Sequence, residues 1–185
     1  MKATDILMEE HQVILRVITA LEAGASALKN GEPIRAEFFV DSASFIKGFA
    51  DGCHHQKEEG VLFKEMVANG MPLQGGPIAV MLYEHEQGRA YTRAMRDAAQ
   101  RLAAGDSSAR AEVADNALNY AGLLRQHIYK EDNILFPMAN QVIPLGQQEK
   151  VAEGFERVEH EETGEGVHAK YLALAQALEQ EISTP

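Results

Sequence analysis

Apolar positions along the chain recur with the three-and-four spacing of amphipathic helices. The first stripe starts after an N-cap at Thr4 or Asp5 and ends near Gly24. Its members are Leu7, Met8, His11, Ile14, Leu15, Ile18 and Leu21. A break at residues 30–33 (Asn-Gly-Glu-Pro) follows, and a second helical segment then extends to about Asn69. The first part of the chain therefore predicts two helices.

Two more helices are predicted in the middle of the chain. Pro77 follows the glycine-rich residues 70–76 and suits the first turn of a third helix, which runs to about Ala104. Residues 105–108 (Gly-Asp-Ser-Ser) provide a stop and the next N-cap, and a fourth helix then extends to about Phe136.

A shorter C-terminal region follows Pro137 and Pro144, which we expect to close the fourth helix. It contains a helical stretch over residues 147–160, a break that carries two glycines, and a last amphipathic stretch over residues 167–182. No segment of the chain alternates with the period of a β-strand, so the sequence predicts an all-α fold.

The fourth stripe is the clearest in the chain, and it carries polar residues in its centre. Its members are Tyr120, Leu123, Leu124, His127, Glu131, Ile134, Leu135 and Met138. An ionised carboxylate in an apolar site is costly unless it is paired or coordinates a metal. The position of Glu131, four residues after His127, therefore favours a metal site over a histidine that is only hydrogen-bonded in the core.

An internal repeat supplies a matching set of such residues. Residues 54–63 (HHQKEEGVLF) share histidine, lysine, glutamate, leucine and phenylalanine, in register, with residues 127–136 (HIYKEDNILF). A Glu-His pair that ends at His11 is likewise echoed by a pair that ends at His85. Each half of the chain thus offers one histidine ahead of a His-x-x-x-Glu motif.

The repeated residues form the donor set of a transition-metal centre. Its candidate ligands are His11, His54, Glu58, His85, His127 and Glu131. Six donors exceed the needs of one tetrahedral zinc ion, and carboxylates can bridge two ions. The set therefore favours two irons, with zinc as the less favoured alternative.

Composition excludes several other classes of protein. The chain has 185 residues and a net charge of −11, which repels nucleic-acid phosphates and anionic membrane surfaces. Cys53 is the one cysteine, so no internal disulfide forms, and no apolar run is long enough to span a membrane. We expect a cytoplasmic protein that binds neither nucleic acid nor membranes.

The order of these motifs, ending in Ile-Leu-Phe-Pro, resembles the hemerythrin-like, or HHE cation-binding, domain over about residues 5–138. The resemblance implies an antiparallel four-helix bundle that holds two non-haem irons joined by carboxylates and an oxo or hydroxo bridge. It implies the same six ligands as the repeat. We expect residues 1–140 to form this bundle and residues 141–185 to form a helical extension packed on the same domain.

One position departs from the family's oxygen carriers. They place a further histidine four residues after the one on the third helix, and this chain has Arg89 there. A guanidinium group offers no free lone pair to a metal. The resemblance therefore implies that one iron lacks a ligand, so that the site is open to an exogenous molecule or is completed by another side chain.

Candidates for the missing ligand lie in the acidic run near the C-terminus. His160 is the first choice, and Glu156 and Glu159 are the alternatives. We therefore add His160 to the predicted metal ligands.

Two positions within the main motifs compete with the chosen ligands. His55 competes with His54 because Glu59 also follows it by four residues, and the repeat favours His54. Asp132 competes with Glu131, and the apolar stripe favours Glu131.

Two classes of function remain, beside a bundle whose metal only stabilises the fold. In the first, the iron pair binds or reacts with a small partner molecule, namely oxygen, nitric oxide or peroxide, in sensing, detoxification or the response to oxidative or nitrosative stress. In the second, the protein stores, delivers or senses iron or repairs iron centres without turning over a small molecule. The sequence contains no nucleotide-binding loop or catalytic triad, and it leaves enzymatic turnover open.

Overall fold

The computed structural model describes residues 2–164 and 166–183, without the side chains of residues 161–163. These residues form helices and no strand. The helices are α1 (Ala3–Lys29), α2 (residues 36–68), α3 (Pro77–Ala103), α4 (residues 110–142), α5 (residues 148–163) and α6 (Val167–Ser183). Short 3₁₀ turns at Ser107–Ala109 and Leu145–Gln147 lead into α4 and α5. The predicted all-α helical bundle is confirmed.

The first four helices pack side by side around a common core. Helix α4 packs against both α1 and α3, and α3 packs against α2. Short connections of a few residues join successive helices, which is typical of antiparallel neighbours. Helices α1 and α2 make few direct contacts, and α5 and α6 pack against both of them on that side of the bundle.

Helix α6 is held to the bundle by buried side chains and by surface ion pairs. Ala175 and Leu178 are buried, and Tyr171 packs so closely on Gly48 of α2 that a Cβ atom there would lie 1.9 Å from the tyrosine hydroxyl. Arg16 of α1 binds Glu179 of α6, but exposed ion pairs contribute only about 0–1 kcal/mol. Side-chain packing therefore positions α6.

Helices α1 and α4 continue past the residues predicted to end them. Gly24 lies inside α1, where a Cβ atom would be 2.5 Å from the Phe38 ring, so this glycine allows close packing of α2 rather than a helix end. Pro137 lies in the first turn of the α-helical segment Phe136–Val142, where its missing N–H costs little. Helix α4 therefore extends to residue 142.

Three π-helical segments interrupt α2 and α4. They cover Ile46–His55 and Glu58–Leu62 in α2, and Glu131–Leu135 in α4. His54, Glu58 and Glu131 lie within these segments, and His127 lies one helical turn before the third. Such segments are frequent at functional sites, because the wider turn redirects side chains relative to a regular α-helix.

The polar ligands divide the interior into two apolar clusters. One cluster contains Ile14, Phe49 and Ile128, and the other contains Leu7, Phe63 and Phe136. On α1, α2 and α3 the candidate metal ligands lie between the residues of the two clusters in sequence, and on α4 Glu131 does so while His127 directly precedes Ile128 of the first cluster. In the described part of the chain, no helix combines the length and the apolar character that crossing a membrane requires.

Candidate metal centre

Two groups of buried histidine and glutamate side chains meet between the two apolar clusters. Group A consists of His11, His54, Glu58 and Glu131, and group B consists of His55, Glu58, His85 and His127. Within each group, one ligand atom from every residue lies within 4.8 Å of the others. The two groups share Glu58, so they form one centre with room for two ions.

The two carboxylates extend between the groups. Glu131 places one oxygen 3.3 Å from Nε2 of His11 and the other 3.1 Å from Nε2 of His127. Glu58 places its oxygens 3.6 Å from Nε2 of His54 and 3.4 Å from Nε2 of His85. Each carboxylate thus faces an imidazole of both groups, which is the arrangement needed to bridge two metal ions.

Several ligand atoms are buried without a hydrogen-bond partner. They are both oxygens of Glu58, both oxygens of Glu131, and Nε2 of His11 and His54. Leaving such atoms unsatisfied costs roughly 1–3 kcal/mol each, and more when the group is charged. Coordination of metal cations would satisfy all of them, so this donor set fits a metal centre.

Every histidine of the centre is oriented by a carboxylate on its Nδ1 side. The pairs are His11–Asp132 at 2.7 Å, His54–Glu10 at 2.9 Å, His55–Asp51 at 2.9 Å, His85–Glu59 at 2.7 Å and His127–Glu84 at 2.9 Å. A histidine whose Nδ1–H donates to a carboxylate presents Nε2 to a metal and is the more basic ligand for it. The arrangement therefore fixes the ring orientation of all five histidines.

This outer layer explains the repeat in the sequence. Glu10, the glutamate of the first Glu-His pair, accepts from His54 and binds Lys57. Glu84, the glutamate of the second pair, accepts from His127 and binds Lys130 in the same way. Glu59, which follows the ligand Glu58, binds His85. Asp132, which follows the ligand Glu131, binds His11. The repeated residues other than the ligands thus hold the ligands in place.

Charges within the centre shift the titration of its histidines. Burial lowers the pKa of His11, but the bond to Asp132 and the neighbouring Glu131 outweigh burial and raise this pKa to about 9. Burial also opposes the charged form of His127, but the negative charge of the adjacent Glu131 and the bond to Glu84 raise its pKa to about 10. Burial works against ionisation of Glu131 too, but His127 and His11 hold the pKa of this carboxyl well below its usual value.

His55 behaves differently from the other histidines. Burial, followed by the positive charges of His85, His54 and His127, lowers the pKa of His55 well below its ordinary value. Its ring stacks on that of His85 with 3.8 Å between centroids. The imidazole is therefore neutral, which is the form that binds metals.

The structure brings together six of the seven ligands predicted from the sequence. His160 is exposed and lies beside Glu153, Glu156 and Arg157 on the surface, away from both groups. Glu156 is exposed as well, and Glu159 binds Lys57 instead of facing the centre. The expected contribution of the C-terminal run to the centre is thus replaced by another residue.

That residue is His55, which the repeat had led us to set aside in favour of His54. The structure places both histidines in the centre, one in each group. They end the π-helical segment Ile46–His55, which turns two adjacent side chains inward where a regular helix would separate them. The signal in the sequence was Asp51, four residues earlier, at the spacing of a helical partner.

Arg89 has a role in the outer layer of the centre. Its guanidinium group donates to Glu59 at 2.6 Å and lies 3.6 Å from Asp51. These two carboxylates orient His85 and His55 of group B. Arg89 therefore stabilises the carboxylates that accept from two histidines. The fifth imidazole of the centre, which the sequence does not supply at position 89, comes from His55.

Comparison with known proteins agrees with this geometry. The family described as Hemerythrin HHE cation binding domain matches residues 2–139. Uncharacterized proteins from two strains of Mycobacterium tuberculosis and from Mycobacterium bovis are 29% identical over 163 residues, which is 88% of this chain and 63% of each relative. The chain thus spans less than two thirds of the length of these curated relatives.

No solved structure matches the chain significantly. The family match covers α1, α2 and α3 completely, α4 as far as residue 139, and every residue of groups A and B. The predicted resemblance is confirmed, and the chain belongs to the hemerythrin HHE cation-binding family.

Proposed function

We propose that the protein holds two non-haem iron ions, one in each donor group, and that this pair binds or reacts with oxygen, nitric oxide or peroxide. The observation that carries the proposal is the pair of carboxylates, Glu58 and Glu131, that each face imidazoles of both groups. Five imidazoles and two carboxylates exceed the ligands of a tetrahedral zinc site and suit ions of higher coordination number.

The burial of the donors supports a small partner molecule. The side chains of Glu58 and Glu131 are 0% exposed, and no histidine of the centre is more than 3% exposed. Phe136 stacks on His11 at 5.4 Å, and Phe63 stacks on His85 at 6.1 Å, so aromatic rings cover one end of the centre. A diatomic molecule or peroxide fits such a site better than an organic substrate.

The two groups differ in their supply of ligands. Group B has three imidazoles, whereas group A has two. An iron in group A therefore has the greater need of an exogenous ligand. When bound, an iron pair supplies reversible electron transfer and open coordination positions, while the outer carboxylates keep each Nδ1 protonated and each imidazole oriented.

The alternative function, iron storage or delivery, requires that the ions leave readily. Five carboxylate-oriented histidines instead favour firm retention, because such outer partners typically raise metal affinity by 10- to 100-fold. The structure of the ligand layer therefore supports the first function over the second.

The test combines spectroscopy with metal retention. We expect the absorption spectrum of the iron-loaded protein to change on addition of nitric oxide or peroxide, on a timescale much shorter than iron loss to a chelator. Replacement of His11 in group A should abolish or slow the spectral change. A spectrum that is unaffected by any of these molecules, combined with rapid iron release, would favour iron delivery instead.

A further inference from the structure

A cleft of about 450 Å³ lies between α2 and α3, next to group B. Its polar lining consists of Lys47, Asp51, Arg89, Thr92, Arg93 and Arg96. Pockets for small-molecule ligands commonly have volumes of about 300–1,000 Å³, so this cleft is large enough for a molecule much bigger than a diatomic gas.

The charge of the cleft is opposite to that of the whole protein. Four cationic side chains face one carboxylate there, although the chain carries a net charge of −11. Among the described residues, Lys47, Arg93 and Arg96 have no ion-pair partner, whereas Arg89 binds Glu59 and Glu86. Three uncompensated cations in one concave site attract anions and concentrate them locally.

The type of cation indicates the type of anion. The planar guanidinium groups of Arg93 and Arg96 stand three residues apart on α3, so they lie on one face of the helix. Arginine binds phosphate through paired hydrogen bonds, and three free cations match a multiply charged group better than a single carboxylate. A phosphate group has the required charge and number of acceptors.

The cleft shares two residues with the outer layer of the metal centre. Asp51 lines the cleft and accepts from Nδ1 of His55 at 2.9 Å. Arg89 also lines it and donates to Glu59, which in turn binds His85. A phosphate that draws Arg89 toward itself would weaken the interactions of Arg89 with Asp51 and Glu59. These two carboxylates orient the histidines His55 and His85 of group B.

We propose that this cleft binds a phosphate-bearing small molecule, and that Arg89 and Asp51 couple its occupancy to the metal in group B. Phosphate binding is independent of which metal the centre holds, whereas the coupling rests on the proposed metal centre.

Calorimetric titration of the metal-loaded protein tests the binding. The probes are inorganic phosphate, pyrophosphate and adenosine monophosphate, and we expect saturable binding that weakens as the salt concentration rises. The double variant Arg93→Gln/Arg96→Gln should bind at least 10-fold more weakly. The variant Arg101→Gln is the matched control, because Arg101 lies on the same helix but outside the cleft, and it should bind like the wild type.

The choice of probe distinguishes the source of the phosphate. Tighter binding of the nucleotide than of pyrophosphate would identify an organic phosphate as the ligand, and the reverse order an inorganic one. The absence of binding for all three probes at millimolar concentration would overturn the proposal. Undiminished binding in the double variant would also overturn it, since the anion would then bind elsewhere, for example at the metal.

The coupling has a separate readout. Saturation with the tightest probe should shift the absorption bands of the iron-loaded wild type and leave those of the double variant unchanged. An unchanged wild-type spectrum at full occupancy would overturn the coupling. A protein that holds zinc instead of iron would contradict the proposed function, and the calorimetric result would still decide the phosphate site.

Discussion

Two neighbouring histidines of the candidate centre lie in different donor groups. His54 belongs to group A and His55 to group B, although the repeat aligned only the former with His127. Comparison of the two halves identifies only the residues that both halves contain. His55 was missed because the equivalent position in the second half is Ile128. The outer partner Asp51 was the available sign of its role.

Replacement of His55 tests this assignment. We expect His55→Ala to lose the metal of group B as fully as His85→Ala does, because both remove an imidazole from the same group. The control is His160→Ala, which removes an exposed histidine and should leave metal content unchanged. Metal analysis of the three purified variants gives the answer, and a His55→Ala protein with full metal content would show that His55 only packs against the centre.

The charges of His11 and His127 predict how stability depends on pH in the metal-free protein. Their pKa values of about 9 and 10 lie above the value of about 6.5 in an unfolded chain. Their protonated forms therefore stabilise the fold fully below about pH 6.5, and this contribution is lost as the pH rises through 9 and 10. Metal binding competes with the same protons, so metal affinity should rise over that range.

Urea unfolding of chelator-treated protein at several pH values measures the first effect. The free energy of unfolding should fall from about pH 6.5 to pH 10, and the fall should be shallower in His127→Gln, which lacks one of the two groups. A stability that stays constant over this range, in the wild type and in the variant alike, would show that these histidines are already neutral in the metal-free fold.

At the scale of helices, the sequence predicted the number and order of the main elements and missed two of their properties. Periodicity and turn residues indicated four long helices and a helical C-terminal region, which the structure contains. The predicted ends of α1 and α4 were wrong. Gly24 allows α2 to pack closely on α1, and Pro137 lies in the first turn of an α-helical segment, and neither role can be recognised without the tertiary structure. The π-helical segments have no signature in a pattern that assumes 3.6 residues per turn.

The contact between Gly48 and Tyr171 predicts how α6 depends on α2. Replacement of a glycine inside a helix by alanine ordinarily stabilises it by about 0.5–1 kcal/mol. Gly48→Ala should instead destabilise the protein and loosen α6, because its Cβ would overlap the tyrosine ring. The matched control is Gly122→Ala in α4, where nothing beyond the adjacent backbone of the helix itself lies within 4 Å of the added Cβ, and a small gain in stability is expected.

Hydrogen exchange resolves the effect on individual helices. Amide protection in residues 167–183 should decrease in Gly48→Ala and remain unchanged in Gly122→Ala. Unchanged protection of α6 in both variants would show that Tyr171 has room to move aside, and that the ion pair of Arg16 with Glu179 is enough to hold the helix.

At the scale of the whole molecule, a polar centre separates two apolar clusters, and its buried charges are compensated by one another and by an outer layer of carboxylates. Burial of these histidines and carboxylates lowers the free energy of unfolding, because they lose their hydration. Coordination of metal ions would offset this loss of stability. The bound metal should therefore contribute to the stability of the whole bundle as well as to its chemistry.

The most direct test of the account is the metal content of protein produced separately in iron-rich and in zinc-rich medium. We expect two irons per chain from the iron-rich medium, with the charge-transfer absorption of a bridged ferric pair, because groups A and B each supply four donors and share Glu58. Glu58→Ala should lose at least one ion, since it removes the shared ligand. A single zinc ion per chain from both media, undiminished in Glu58→Ala, would contradict the account.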